Sequence, residues 1–319
     1  MRFLIVGAGA IGGYLGACMA KAGEDVTLFA RGAHLLAIKD HGLRVIGGAG
    51  GGGGDFEVHP KIIGSLSGAG TFDVIFLGVK AHGLTQLAPQ LKPLIGDETT
   101  VVSLQNGIPW WYSHLDSVDP GGTITASIDP ASVVGSLVYL ATEIAEPGVI
   151  RHIEGNRISL GEPDGTRSER CRAIADALIH AGLRCPVTAR LREEIWVKLL
   201  GNVAFNPISA LTRATLAQMA RDPAVRTVVR SIMTEVAAVA NKQGMELPIS
   251  IEQRIAGAEK VGEHKTSMLQ DLEAGRPLEI EPVVGAVLEL GEQLGVDMPC
   301  TRTVYACTKL LETTVSVRT

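Results

Sequence analysis

The chain has 319 residues, a formal net charge of -5 and an apolar content of 46%, with only 4% aromatic residues. This length predicts two domains of ordinary size. The mild charge, without a long run of Lys or Arg, argues against nucleic acid or an anionic membrane surface as a partner. No apolar run reaches membrane-spanning length. The five scattered cysteines form no CxxC pair, so they predict free thiols in a reducing cytoplasm.

Strands and helices alternate through the first half of the chain. Apolar runs predict strands at residues 2–6, 25–29, 74–77 and 100–104, and helical patterns lie between them at 11–22, 34–40 and 84–91. This order predicts a parallel sheet covered by helices. The glycine run at 47–54 is expected to be a flexible surface loop, because it cannot form a regular element.

The pattern changes after residue 135. Stretches at 136–141, 149–153 and 157–160 predict antiparallel additions to the sheet edge, followed by a helix at 168–181 and a last strand at 184–187. Helical patterns then dominate, at 191–212, 223–243, 250–273, 281–294 and 300–311. The predicted fold is α/β, with an N-terminal Rossmann-type doubly wound sheet over residues 1–188 and a C-terminal all-helical domain over residues 189–319.

The first strand runs directly into a GxGxxG motif, which predicts a dinucleotide site. The first glycine permits the turn, the second admits the pyrophosphate, and the third lets helix and strand pack closely. The helix N-terminus would then face the phosphates. The alternative is a glycine-rich turn in another kind of α/β protein. The predicted cofactor loop comprises Gly7, Ala8, Gly9, Ala10, Ile11 and Gly12.

The end of the second strand distinguishes the two nicotinamide cofactors. An NAD site normally places Asp or Glu there to bind the ribose 2′-hydroxyl. Here Arg31 follows the strand, and its forked donors suit the 2′-phosphate of NADP(H). A solvated arginine on a loop is the alternative.

Two polar residues follow later strands of the predicted sheet, where such strands line the cofactor crevice. Lys80 could add positive charge near the adenosine phosphate, although an exposed lysine fits as well. The Asn106 amide could bridge the nicotinamide ribose and the substrate. Since Asn-Gly is a common turn pair, a plain turn is the alternative reading of Asn106.

A lysine and two asparagines recur at i, i+4 and i+8 in the apolar stretch KLLGNVAFNPISAL. On a helix, Lys198, Asn202 and Asn206 would lie one turn apart on one face. Burying such groups is costly unless they have partners, so the stripe predicts a polar pocket wall. Partial burial would also bring the pKa of Lys198 toward working pH, as a proton donor requires. The structural alternative is a packed helix with a wet polar face.

A second polar stretch, HKTSMLQDLEAGRPLEIE, contributes further candidates. Ser267 could bind a substrate carboxylate, and Glu279 could hold a substrate hydroxyl or steady Lys198. Asp271 and Arg276 could instead pair with each other and fix the turn between them. By composition alone, this stretch is a helix, a loop and a second helix.

These pieces together resemble the ketopantoate reductase (2-dehydropantoate 2-reductase) family over nearly the whole chain. The specific motifs are FLIVGAGAIGGYLGA, LFARGAHL, GVKAHGL, SLQNGI, EEIWVKLLGNVAFNPISALT and HKTSMLQDLEAGRPLEIE. The resemblance implies an NADPH-dependent reduction of a small 2-oxo acid, ketopantoate to pantoate, in pantothenate synthesis. A helix-rich second half with exposed apolar faces would support a homodimer.

The resemblance also implies a role for each matching position. The residue matching the proton donor is Lys198, and the substrate contacts match Asn202, Asn206 and Ser267. The residues matching contacts to both ligands are Asn106 and Glu279. Basic residues near the 2′-phosphate match Arg31 and Lys80, and a position where backbone approaches the nicotinamide matches Ala141.

Three departures from the family pattern bear on substrate and cofactor. Gly83 stands where the family often has Gln, the glycine run at 47–54 is unusual, and the large rings of Trp110, Trp111 and Tyr112 follow the NGI motif. If those rings line the pocket, they could change the substrate. The rival functions are a related reductase acting on another 2-oxo acid and a non-catalytic NADP(H)-sensing protein.

Overall fold

The computed structural model describes residues 1–47 and 54–316, so most of the glycine run lies outside the described residues. The strands are β1 (Arg2–Val6), β2 (Asp25–Phe29), β3 (Leu43–Ile46), β4 (Phe56–Val58), β5 (Lys61–Ile63), β6 (Val74–Leu77), β7 (Thr100–Ser103), β8 (Val133–Glu146) and β9 (Val149–Gly161). The helices that accompany them are α1 (Ala10–Lys21), α2 (Gly32–His41), α3 (Ala81–Leu91) and α4 (Glu169–His180). Short 3₁₀ turns span Lys92–Leu94, Pro120–Gly122 and Pro130–Ser132.

The rest of the described chain is helical. Its elements are α5 (Leu191–Thr212), α6 (Leu216–Arg221), α7 (Pro223–Lys242), α8 (Ile251–Val261), α9 (Ser267–Glu273), a π-helix (Glu281–Gly285), α10 (Ala286–Gln293) and α11 (Pro299–Ser316). Two compact units result. The first unit comprises residues 1–105 and 121–191, and the second comprises residues 106–120 and 192–319. The segment 106–120 thus belongs with the helices of the second unit, whereas the boundary predicted after residue 188 stays a prediction.

The described residues of the first unit form a nine-stranded sheet in the order β4-β3-β9-β8-β7-β6-β1-β2-β5. Neighbouring strands from β8 to β5 in this order run parallel, and β3 is parallel to β9. Two pairs are antiparallel, β8 with β9 and β3 with β4. The predicted α/β class, a Rossmann-type sheet followed by a helical region, is confirmed.

The central strands are buried because α-helices cover a parallel sheet on its faces. In β1, the side chains from Phe3 to Val6 are fully buried, and the Phe3 ring stacks on Phe76 of β6 with centroids 6.2 Å apart. Such strands are continuous apolar runs, which is why the sequence predicts them well.

The structure corrects several predicted elements. Short strands β3, β4 and β5 and the short helix α6 were not predicted. The segment 184–187 makes only isolated bridges from Arg184 and Val187 to β9 and is no strand of its own. The helix predicted at 250–273 is two helices, because Gly262 takes a left-handed φ of 87° after α8. The helix predicted from residue 281 begins as a π-helix.

Side-chain caps mark the N-termini of α6 and α8 in the second unit. Thr215 and Gln218 form a capping box on α6, and Ser250 and Gln253 form another on α8. These reciprocal bonds satisfy backbone N–H groups that have no acceptor within the helix.

Among the described residues, none of the helices is both long and apolar enough to cross a membrane.

Candidate active site

The glycine-rich loop adopts a conformation that requires its glycines. Gly7 has a φ of 99°, and its N–H and that of Ala8 donate to the Phe29 carbonyl at 3.1 and 3.0 Å. A Cβ on Gly12 would lie 2.1 Å from the Gly7 carbonyl oxygen, so only glycine permits this approach. The loop therefore packs closely on β2 and on the first turn of α1.

The outer side of the same loop fits a pyrophosphate. Helix α1 begins at Ala10 after Gly9, and a Cβ on Gly9 would have no heavy atom within 4 Å. The first N–H groups of a helix have no acceptor within it, and the helix dipole favours an anion at this end. The space beside Gly9 leaves the amides of Ala10, Ile11 and Gly12 room for an anion, and binding of the cofactor by this loop stays a prediction.

The two candidate cations lie at the carboxyl ends of β2 and β6, the strands on either side of β1. Arg31 is the exposed residue at the start of α2, directly after β2, and its guanidinium lies 5.4 Å from the Phe29 ring centroid. Lys80 is partly exposed and precedes α3, after β6. Because β6, β1 and β2 are adjacent in the sheet and parallel, both cations lie at the same carboxyl-terminal end of the strands as the glycine loop.

His34 was not predicted as a site residue, although it lies in the quoted motif LFARGAHL. Its Nδ1 accepts a hydrogen bond from the Gly148 N–H at 3.0 Å, its Nε2 is buried, and the imidazole interacts with the backbone of Ala8. Burial lowers the pKa of this imidazole. The ring thereby links the cofactor loop to the turn between β8 and β9.

Ala141 occupies an irregular point in the long strand β8. The register with β9 shifts on both sides of it, between Tyr139 and Ala141 and again before Thr142. Such bulges redirect the backbone and are frequent beside active sites. The proximity of Ala141 to a nicotinamide stays a prediction.

In the second unit, the side chains of Lys198 and Asn106 meet. The Lys198 amine, on the partly buried face of α5, donates to Asn106 Oδ1 at 2.8 Å. Burial lowers the pKa of Lys198 from 10.5 to about 8, and the nearby Glu279 carboxylate opposes this shift. An amine with such a pKa exchanges its proton near neutral pH, which suits a general acid.

A small pocket collects most of the predicted substrate residues. Its lining consists of Asn106, Asn206, Ser267, Met268, Asp271, Glu279 and Val283. Asn206 is buried, whereas Ser267 is exposed at the start of α9. Asn202 lies one helical turn from Lys198 and from Asn206 but is not among the lining residues. The structure thus brings together Asn106, Asn206, Ser267 and Glu279, and it bonds Lys198 to the first of them.

Asp271 has two roles in the structure, of which the sequence predicted one. Its carboxylate accepts from Arg276 Nε at 2.9 Å, and its carbonyl accepts from the Arg276 N–H at 2.9 Å, which confirms the predicted pair. The carboxylate is also buried and lines the pocket. Its i+4 spacing from Ser267 on α9 was the signal that could have found it.

The turn that carries Asn106 is fixed by a backbone contact with the π-helix. The Ile108 N–H donates to the Pro282 carbonyl at 2.7 Å, and Gly107 has a φ of 89°. A Cβ on Gly107 would lie 2.2 Å from the same carbonyl oxygen. π-Helices are rare and often occur at functional sites, because they redirect groups of the helix. The Asn-Gly pair here forms a turn and also places Asn106 in the pocket.

The aromatic segment after this turn supports α5 and does not line the pocket. Trp110, Trp111 and Tyr112 are buried. The Tyr112 hydroxyl accepts from Trp196 Nε1 and donates to Gln243, both at 2.8 Å. The sequence predicted a change of substrate only if these rings line the pocket, and they do not line this one.

The glycine loop at the end of β1 and the parallel sheet define the first unit as a Rossmann-type dinucleotide-binding fold. Residues 3–165 match the family described as "Ketopantoate reductase PanE/ApbA", and residues 190–312 match "Ketopantoate reductase PanE/ApbA C terminal". The chain belongs to the ketopantoate reductase family. It is accordingly an oxidoreductase that uses a nicotinamide cofactor.

Individual proteins agree with this assignment. The chain is 48% identical to a 2-dehydropantoate 2-reductase of Mesorhizobium japonicum over 98% of each chain. A solved structure from Ralstonia solanacearum has a TM-score of 0.93 and 38% identity over 98% of each chain. A D-mandelate dehydrogenase solved with NADH and anilino(oxo)acetate has a TM-score of 0.85 over 99% of each chain, and at 24% identity this likeness shows the fold alone.

Proposed function

We propose that this chain reduces ketopantoate to pantoate with NADPH. The observation that carries the proposal is the Lys198 amine, which is bonded to Asn106 beside a pocket of amides, a hydroxyl and carboxylates. The identity to 2-dehydropantoate 2-reductases supports the substrate. The five cysteines are free thiols, which supports a reducing, cytoplasmic setting.

Lys198 is the proposed proton donor. NADPH, when bound, supplies the hydride that reaches the carbonyl carbon of the substrate. The carbonyl oxygen then gains negative charge, and the protonated amine of Lys198 neutralises it by giving up a proton. With a pKa of about 8, the amine is mostly protonated at neutral pH and is still a stronger acid than an ordinary lysine.

Polar residues of the pocket, together with Asn202 one helical turn from Asn206, orient the substrate in this proposal. The Ser267 hydroxyl can donate to the substrate carboxylate, while the amides of Asn202 and Asn206 can donate to or accept from its hydroxyl and carbonyl groups. Asn106 holds the Lys198 amine and is proposed to contact the cofactor and the substrate. Glu279 is proposed to bind a substrate hydroxyl and to contact the cofactor.

The preference for NADPH rests on Arg31. No acidic residue stands at the end of β2, where an NAD site places one, and the exposed guanidinium there matches the geometry of a 2′-phosphate. Lys80, on the same edge of the sheet, adds positive charge. The amides of the Gly7–Gly12 loop are proposed to hold the pyrophosphate, and the Ala141 backbone is proposed to approach the nicotinamide.

The test is the oxidation of NADPH by the purified full chain, with ketopantoate compared with a panel of aliphatic and aromatic 2-oxo acids. We expect selective turnover of ketopantoate, and a loss of about 100-fold or more in Lys198→Ala, as for a removed general acid. Lys242→Ala is the matched control, because Lys242 is an exposed lysine at the end of α7.

Each proposed role has its own contradicting result. Unchanged turnover in Lys198→Ala would reject the proton donor. Selective turnover of another 2-oxo acid would retain the chemistry and reject ketopantoate. Tight NADPH binding without turnover of any panel member would indicate a cofactor-sensing protein.

A further inference from the structure

The C-terminal helix α11 holds the segment that carries Glu279. Three side chains of α11, Tyr305, Lys309 and Glu312, are spaced at i, i+4 and i+7 and therefore share one face of the helix. We call these three residues the α11 clamp. Each of them bonds to residue 278 or 281, or to a neighbouring member of the clamp.

The contacts of the clamp lie on both sides of Glu279. Glu312 Oε1 accepts from the Leu278 N–H at 2.9 Å. The Tyr305 hydroxyl donates to the Glu281 carboxylate, with its two oxygens at 2.9 and 3.0 Å. Lys309 Nζ lies 2.8 Å from Glu281 Oε1 and 3.5 Å from Glu312 Oε2. The positive charge of Lys309 thus offsets two carboxylates.

The backbone between these contacts needs such partners. Leu278 and Ile280 are buried, and Glu279 between them is half-buried and lines the pocket. Leu278 precedes the π-helix that begins at Glu281 and lies in no helix or strand, so its buried N–H needs an acceptor from elsewhere. The Glu312 carboxylate supplies that acceptor from a different helix. The Pro282 carbonyl, in turn, holds the Asn106 turn through Ile108.

We infer that the α11 clamp is a positioning device for the active site, which fixes Glu279 relative to Lys198 and Asn106 although none of its three side chains lines the pocket. The inference rests on the proposed function for the meaning of the site. The Glu279 carboxylate raises the pKa of Lys198 against the effect of burial. The other charged groups at the pocket are Asp271 and its partner Arg276, which are separate from the clamp.

The test compares Glu312→Ala, which removes the acceptor for Leu278, with Glu312→Gln, which retains an acceptor oxygen. Tyr305→Phe is the second clamp variant and removes only a hydroxyl. The matched control is Arg302→Ala, which breaks an exposed ion pair from the same helix to Glu292 (2.7 Å) away from the clamp. All variants are measured as full chains with NADPH and ketopantoate.

We expect Glu312→Ala to lower kcat about tenfold, since small displacements of catalytic groups reduce rates strongly. The alkaline limb of its pH profile should move to lower pH, by about half a unit, because Glu279 then supports the charge of Lys198 less. Tyr305→Phe should likewise lower kcat and move the alkaline limb of the pH profile to lower pH. Glu312→Gln should recover most of the wild-type behaviour, and Arg302→Ala should change neither kcat nor the limb.

A titration that needs no turnover separates this inference from the proposed function. The ε-carbon resonance of ¹³C-labelled Lys198, assigned by its loss in Lys198→Met, reports the pKa of the amine directly. A lower pKa in Glu312→Ala and Tyr305→Phe, with no change in Arg302→Ala, supports the clamp even if ketopantoate is not the substrate. An unchanged pKa and an unchanged pH profile, together with a lower Tm alone, would reduce the clamp to ordinary helix packing and overturn the inference.

Discussion

The depressed pKa of Lys198 predicts that the proposed catalytic lysine reduces the stability of the folded chain. An ordinary lysine has a pKa of 10.5, and burial lowers that of Lys198 to about 8. The folded state therefore binds fewer protons than the unfolded state between these two pH values. By linkage, the contribution of Lys198 to stability rises with pH through this window and is least favourable below pH 8.

The magnitude follows from the two pKa values. The difference in proton binding destabilises the folded state by about 3 kcal/mol at pH 7 and by about 2 kcal/mol at pH 9. Lys198→Met removes this cost and conserves much of the side-chain volume. It also removes the donor to Asn106 at 2.8 Å, which offsets the gain by about 1–3 kcal/mol at either pH. The net change in stability on Lys198→Met is therefore small at any one pH. The difference between the changes at pH 7 and pH 9 is larger, because the lost hydrogen bond cancels.

The assay is urea unfolding of wild type and Lys198→Met at pH 7 and pH 9. We expect the stability of Lys198→Met relative to wild type to be about 1 kcal/mol lower at pH 9 than at pH 7, because only the wild type titrates at this position. Lys198→Arg is a second variant that does not titrate, since arginine stays charged at both pH values, so its stability relative to wild type should show the same pH dependence. An equal difference between Lys198→Met and wild type at pH 7 and pH 9 would refute the depressed pKa.

Three further predictions concern the cofactor loop, the 2′-phosphate and the aromatic segment. Gly12→Ala would place a Cβ 2.1 Å from the Gly7 carbonyl oxygen, so we expect a loss of about 2–4 kcal/mol in stability and weaker NADPH binding, measured by thermal unfolding and fluorescence titration. Arg31→Ala should raise the KM for NADPH about 10- to 100-fold and leave that for NADH nearly unchanged; equal effects on both cofactors would reject its contact with the 2′-phosphate. Tyr112→Phe leaves the buried Trp196 N–H without its acceptor, so it should cost about 1–3 kcal/mol in urea unfolding without altering the relative rates with different 2-oxo acids.

The elements that the sequence predicted well are those whose pattern arises locally. Val74–Leu77 is a continuous apolar run because β6 is buried on both faces, and the glycine loop follows β1 directly. Strands β4 and β5 have only three residues each, mix polar with apolar residues, and lie at the two edges of the sheet. β5 pairs with β2 across α2 and two other strands, and β4 pairs with β3 across the glycine run, so neither pairing is contained in a local pattern.

The candidate site shows the same division. The spacing of Lys198, Asn202 and Asn206 predicts one polar stripe on α5, yet each i+4 step advances about 40° around a helix, and only Asn206 of the two asparagines lines the pocket. The bond between Lys198 and Asn106 joins residues 92 positions apart. It depends on the turn at Gly107 packing against the π-helix, and the sequence near Pro282 predicts an ordinary helix.

Helix α5 resolves the conflict between burying polar groups and remaining folded. Its stripe of Lys198, Asn202 and Asn206 is costly to desolvate. The same helix buries Trp196 and Leu200 completely. Burying each of these two side chains stabilises the folded chain by about 2–3 kcal/mol. This gain is comparable to the cost of lowering the pKa of Lys198. Among the aromatic residues after the Asn-Gly turn, Tyr112 supports α5 directly, because its hydroxyl and ring contact Trp196, two positions before Lys198. This packing helps to offset the cost of burying Lys198. We therefore expect variants of the aromatic segment to alter stability before they alter specificity.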